Sequence, residues 1–198
     1  MNGEEKDKIS NEEFFEAWKT VCTENEKHLL NISGSTSDYT NFILKKDDSI
    51  ITKVAEKFGL ETYTEYYHID AVLYKQVDCF ESVSEYKTWG KRKDFCLKRI
   101  RIAFEHENNL STAYQEIIHL LTTKADKKIV VTYAEKENTE KHAKDFCKII
   151  EKDKNDGQNI MVIFGCYIKN EDEGKDEEKG KFEWIGYELT DKEPKKIN

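Results

Sequence analysis

Three acidic residues stand where the surrounding pattern is otherwise apolar. Ile102-Ala103-Phe104-Glu105-His106-Glu107 alternates as a strand does. Within it Glu105 and Glu107 project from one face, with Cα atoms roughly 6–7 Å apart by strand rise. Asp70 interrupts a second apolar run, Ile69-Asp70-Ala71-Val72-Leu73. Acidic residues are depleted in strands, so all three ask for a reason. If the two strands are neighbours, the carboxylates converge, repel one another and resist ionisation. A hard divalent cation removes that penalty, because Mg2+ takes oxygen ligands from a few carboxylates and completes its octahedron with water. Such an ion polarises a phosphoryl oxygen and acidifies water, which phosphodiester hydrolysis requires. A remaining acid can orient or deprotonate that water. The alternative is a solvated sheet face on which Glu105 and Glu107 pair with Arg101.

Tyr67-His68-Ile69-Asp70-Ala71-Val72-Leu73, then Glu105-His106-Glu107, then a helix and a short strand, together resemble the PD-(D/E)XK nuclease superfamily over roughly residues 50–134. The resemblance implies a restriction-endonuclease-like fold, a three-layer α/β/α arrangement around a central mixed sheet. It implies a metal-dependent DNA endonuclease using Mg2+, with Mn2+ as the substitute. Asp70 and Glu105 would bind the metal, His106 would lend its backbone carbonyl, and a helix acid, Glu56 ahead of Glu24, would complete the set. Glu107 holds the position of the superfamily's lysine, giving ExE for ExK, and would orient or activate water. The expected catalytic set is therefore Asp70, Glu105 and Glu107. On the following helix Glu116 and His119 occupy the polar side, and no lysine precedes Lys124. The missing lysine keeps a second expectation open, a catalytically inactive nuclease-like module that binds nucleic acid or protein. His68 and His106 read as hydrogen-bonded structural histidines. No His/Cys set has zinc spacing, and no glycine-rich phosphate loop occurs.

Charge is distributed unevenly. The chain carries a formal charge of −8, which argues against a generally polybasic nucleic-acid binder. Yet Lys87, Lys91, Arg92, Lys93, Lys98, Arg99 and Arg101 fall within fifteen residues, opposed only by Asp94 and interleaved with Tyr86, Trp89 and Phe95. That stretch nets +6 and leaves −14 for the remainder. It runs directly into the strand of Glu105, so Lys91, Arg92, Lys93, Lys98, Arg99 and Arg101 are expected to contact DNA phosphates. The competing reading of this stretch is a solvated loop paired with the acidic remainder; a further functional alternative is a structural or regulatory interaction protein whose acidic surface mimics or avoids nucleic acid. Cutting both strands of a duplex would take two sites, hence a homodimer.

The elements that must position these residues follow from period and punctuation. Ser10-Asn11-Glu12-Glu13 is a capping box, and Phe14, Phe15, Trp18, Val21 and Cys22 predict a helix to about Leu30. Residues 31–38 read as a loop. A second helix follows Asp48, with Ile50, Ile51, Val54, Ala55 and Phe58 inward and Gly59 as its stop. From Leu60 the period becomes two, predicting a strand across 61–74 with His68, Asp70, Val72 and Tyr74 on one face. Residues 76–96 read as loop and short helix, and 99–107 as a strand. Ser111 caps a helix burying Ala113, Tyr114, Ile117, Leu120 and Leu121. Strand 129–133, helix 137–153 and strand 160–168 make a crossover unit with a parallel pair. Residues 170–180 form an acidic hairpin tip, and 182–189 the last strand. One domain spans 1–198, with the nuclease-like core at about 50–134 and 137–189 added to the same sheet.

A chain of 198 residues buries enough apolar surface to fold without disulfide or metal staples. Five scattered cysteines without a CxxC pair predict reduced thiols and a cytoplasmic setting. No apolar run approaches the roughly 18–20 residues of a membrane helix, and the polar N-terminal stretch lacks a signal-peptide core.

Overall fold

Ser10 starts the first helix as its sequence requires. In the computed structural model, which describes residues 8–45, 47–79, 96–153, 160–169 and 180–197, its hydroxyl accepts the Glu13 amide at 3.0 Å. The Glu13 carboxylate accepts the Ser10 amide at 2.7 Å in return. Helix α1 (Asn11–Glu24) buries Phe14, Phe15, Trp18, Val21 and Cys22. It ends earlier than predicted because the Asn25 side chain donates to the Val21 carbonyl at 2.7 Å, and α2 (Glu26–Ile32) restarts beyond it. The predicted loop is largely helical. Ser35 caps α3 (Thr36–Thr40), and a π-helical turn, Asn41–Lys45, buries Phe42, Ile43 and Leu44. Ser49 caps α4 (Ile50–Lys57), and Gly59 ends it at φ +62°, a conformation glycine adopts without steric penalty.

The single strand expected over 61–74 is a hairpin, β1 (Glu61–Tyr66) and β2 (Ile69–Tyr74). Tyr67 and His68 make its two-residue turn at φ +48° and +69°. Two central residues with positive φ match the twist of the flanking strands, but Tyr-His carries none of the usual Asn-Gly signal. After β3 (Ile102–His106) come α5 (Ala113–Thr122), β4 (Lys127–Tyr133), α6 (Thr139–Asp153), β5 (Ile160–Ile168) and β6 (Lys181–Leu189). A short β7 (Lys195–Ile197) then pairs with β6, beyond the strand expected to be last. Ser111 does not cap α5. It donates its amide and hydroxyl to the Asn109 side chain, and the helix begins two residues later. Tyr114, predicted in the buried stripe, is 42 % exposed.

Among the described residues the seven strands form one mixed sheet in sequence order. β1, β2 and β3 are antiparallel, β3, β4 and β5 parallel, and β5, β6 and β7 antiparallel. Helices α5 and α6 are the crossovers that parallel neighbours demand. One core joins α1–α4 to a sheet face bearing Ala71, Leu73, Ile102 and Phe104. The other joins α5 and α6 to Val72, Ala103, Val130 and Val162. The protein is thus an α/β structure with helices on both faces of its sheet. No described helix is long and apolar enough to cross a membrane. The acidic tip at 170–179 lies outside the described residues, as do Lys91, Arg92 and Lys93.

Candidate metal centre

Asp70 and Glu105 meet where the ladder between β2 and β3 stops. Ala71 lies opposite Phe104 as the terminal rung, so the next position sets Asp70 across from Glu105 on the face of Val72 and Ala103. Beyond that rung the side chains replace the backbone as hydrogen-bond partners. The Asp70 amide donates to Glu105 Oε2 at 3.0 Å, and the His106 amide donates to Asp70 Oδ2 at 2.8 Å. An unpaired buried amide is expensive, and this reciprocal exchange leaves neither without an acceptor. Glu105 is 1 % exposed, and its other oxygen, Oε1, has no hydrogen-bond partner among the described residues.

Burial is the main reason both carboxyls hold their protons above the usual carboxylate range. The backbone amide each accepts works in the opposite direction, but repulsion from Glu116 adds to burial at both, and Asp70 repels Glu105 as well. A proton or a cation is therefore favoured at this point of the sheet.

Helix α5 supplies the rest of the cluster. Glu116 and His119 sit three apart on one face of it, with His119 Nδ1 3.1 Å from Glu116 Oε2. One ligand atom each from Glu105, Glu116 and His119 lies within 4.8 Å of the others. The helix acid that lies beside Glu105 is Glu116, not the expected Glu56. Their polar helix face was visible in the sequence, but not their distance from Glu105. That distance follows from the crossover, which lays the helix after β3 back over the Glu105 face.

Glu107 lies one position beyond β3, where its amide donates to the Val131 carbonyl at 2.9 Å and its Oε1 accepts the Asn109 amide at 2.7 Å. Glu56 is exposed on α4, in the layer that covers the opposite sheet face, and is not brought to Asp70 and Glu105. The His106 ring also turns to that opposite face. It is packed by Tyr39 and Tyr133, with Nε2 2.9 Å from the Tyr133 hydroxyl, and burial pushes its pKa down to about 3. His68 is exposed at the hairpin tip.

Of the basic set, Arg101 is 8 % exposed and grips Asp78 with two bonds, at 2.7 and 2.9 Å. The expected alternative of Arg101 paired with Glu105 is not what forms. Arg99 pairs with Asp126 at 2.7 Å, and Lys98 is exposed. Comparison of the chain with known protein families, with curated proteins and with solved structures returned no match.

Proposed function

We propose that this protein is a metal-dependent DNA endonuclease of the restriction-endonuclease-like, PD-(D/E)XK kind, in an ExE variant. The observation that carries the reading is the Asp70–Glu105 pair, two carboxyls on adjacent strands of a buried sheet face, one with an unpartnered oxygen. The order of helix, antiparallel β1–β3, crossover helix and parallel β4 supports the same assignment.

The donors fit a divalent cation. A buried orphan carboxylate oxygen beside a second acid is offset by positive charge, and oxygen ligands suit Mg2+ and Mn2+. Asp70 and Glu105 would hold the ion, which when bound would supply Lewis acidity toward a phosphoryl oxygen and toward water. The His106 amide fixes the Asp70 carboxylate, and the Asp70 amide fixes Glu105, so neither needs to reorient on binding substrate. Glu107, one position beyond β3, orients or deprotonates the attacking water. Lys98, with Lys91, Arg92 and Lys93, contacts phosphates, while Arg99 is shared with Asp126 and Arg101 with Asp78. Paired cuts would need a homodimer.

Plasmid and oligonucleotide cleavage with Mg2+ or Mn2+ tests this, parent against Asp70→Asn. Cleavage should fall by at least about a hundredfold, the scale on which loss of a principal charge-stabilising group acts. Unchanged cleavage in the variant removes Asp70 from the chemistry and overturns the proposed Asp70–Glu105 site. A second reading, an inactive nuclease-like module that binds DNA, is favoured by Glu107 standing in the lysine position with its carboxylate already on the Asn109 amide. Salt-dependent DNA binding without cleavage in any metal would select it.

A further inference from the structure

We infer that Glu105, Glu116 and His119 form a mixed carboxylate–imidazole site for a divalent transition ion of the Mn2+ type, in which His119 is a ligand and which discriminates against Mg2+. Three features of the structure meet here. The donor atoms are already gathered, one from each residue within 4.8 Å of the others. Glu105 is 1 % exposed, its Oε2 is held by the Asp70 amide, and its Oε1 is left without a partner. An oxygen deprived of water and of any donor is a standing desolvation penalty until a proton or cation arrives. Finally, the donor set is chemically selective. Mg2+ demands oxygen and retains its waters, whereas imidazole nitrogen suits the transition ions.

The spacing supports ligation beyond mere proximity. Glu and His three apart on a helix present both donors to one side, the arrangement by which bundle proteins bind carboxylate-bridged transition metals. Here the third donor comes from β3, across the gap that α5 spans. Burial grades from the Glu105 side to the Glu116 and His119 side, with side chains 18 % and 55 % exposed. An ion could enter from solvent past His119 and keep water on that side. The Asp70 amide acts on Glu105 as an outer-shell donor that sets the ligand's orientation. The inference does not require that the protein cut DNA, because it concerns which ion binds and through which atoms.

Binding of MnCl2 and MgCl2 to the 198-residue chain, followed by titration calorimetry and by electron paramagnetic resonance of Mn2+, decides the matter. The parent should bind Mn2+ more tightly than Mg2+ and show nitrogen modulation of the bound Mn2+ echo. His119→Ala, a change on an exposed helix surface, should abolish that modulation and weaken Mn2+ by at least about tenfold, the lower range for perturbing even an outer-shell partner. Its Mg2+ affinity should change by less than about threefold, since Mg2+ takes oxygen ligands. Glu116→Gln should weaken Mn2+ as well, and His142→Ala, on α6, should alter nothing. Thermal unfolding of each variant establishes that it is folded. Nitrogen modulation that survives in His119→Ala, equal Mn2+ affinity in that variant and the parent, or no Mn2+ binding at millimolar concentration would each overturn the site. If cleavage is absent while His119→Ala loses the ion, the nuclease reading falls and the site stands. Cleavage with Mn2+ that is indifferent to His119→Ala, with parental Mn2+ affinity, leaves the nuclease and removes the site.

Discussion

At the scale of single residues, three acids that the alternation of the chain made conspicuous have different fates. Asp70 and Glu105 each cap an amide of the opposite strand, and Glu107 ties the turn that leads into α5. A fourth acid, Asp78, drew no attention in the sequence because it sits outside any periodic segment. It forms the buried ion pair with Arg101. Burial alone would raise the Asp78 pKa, but the Arg101 bonds and the Lys75 amide outweigh it and hold the carboxyl below its ordinary value. A depressed folded-state pKa means stability that is present above the unfolded value of about 3.9 and lost as pH falls through the folded one. Asp78→Asn removes the carboxylate charge from a buried ion pair with Arg101, so the variant should be less stable near neutral pH by about 3–5 kcal/mol. Denaturant melts should show that gap narrowing below about pH 4, where the parent begins to lose the same charge. A gap that stays constant from pH 7 to pH 3 would show that the pair contributes packing alone.

At the scale of elements, what could be read in the sequence was what local chemistry decides. The Ser10 capping box, the Gly59 stop, the apolar stripe of α4 and the apolar strand over 160–168 each depend on neighbours within a few residues, and each appears where expected. The failures share a cause. Ser35 falls in the stretch read as a loop and is instead a cap, so α3 and the π-helical turn were hidden behind it. Tyr67 and His68 continue an alternating pattern and yet turn the chain, because the turn is imposed by pairing of β1 with β2. Glu116 and His119 were seen as a polar face, and only the return of α5 over β3 gives that face a partner. The hairpin turn carries a measurable consequence. A side chain at positive φ costs about 1–2 kcal/mol relative to glycine, so His68→Gly should raise stability by about 1 kcal/mol. For a chain of this length that corresponds to about 2–4 °C in Tm by calorimetry. A lower Tm would mean that the His68 side chain makes a contact worth more than the strain.

At the scale of the whole molecule, the net charge of −8 restricts how nucleic acid can be met. The basic stretch enters the sheet at β3, and its last member, Arg101, is already neutralised within the fold by Asp78. If the protein binds DNA as proposed, Lys91, Arg92, Lys93 and Lys98 are the set expected to meet its phosphates. Replacing Lys91, Arg92 and Lys93 together by Ala should weaken DNA binding and make the salt dependence shallower by about 2–3 in the slope of log K against log salt. A parallel decrease at all salt concentrations, with no change in slope, would mean that these side chains do not touch phosphates.

The exchange of amides between Asp70 and Glu105 has one more implication. Each acid is at once a side chain of the cluster and the acceptor for a main-chain group of the other strand. The two cannot be removed independently, so their single substitutions should not add, and a double-mutant cycle should return a coupling beyond about 0.5 kcal/mol. Conversely, the Asp70 and His106 amides become native reporters of the cluster. Their hydrogen–deuterium exchange should slow when a bound ion further restrains the carboxylates that already accept them, while amides of β6 and β7 keep their rates. The end of a sheet ladder thus doubles as a gauge, readable by the solvent exchange of two backbone protons.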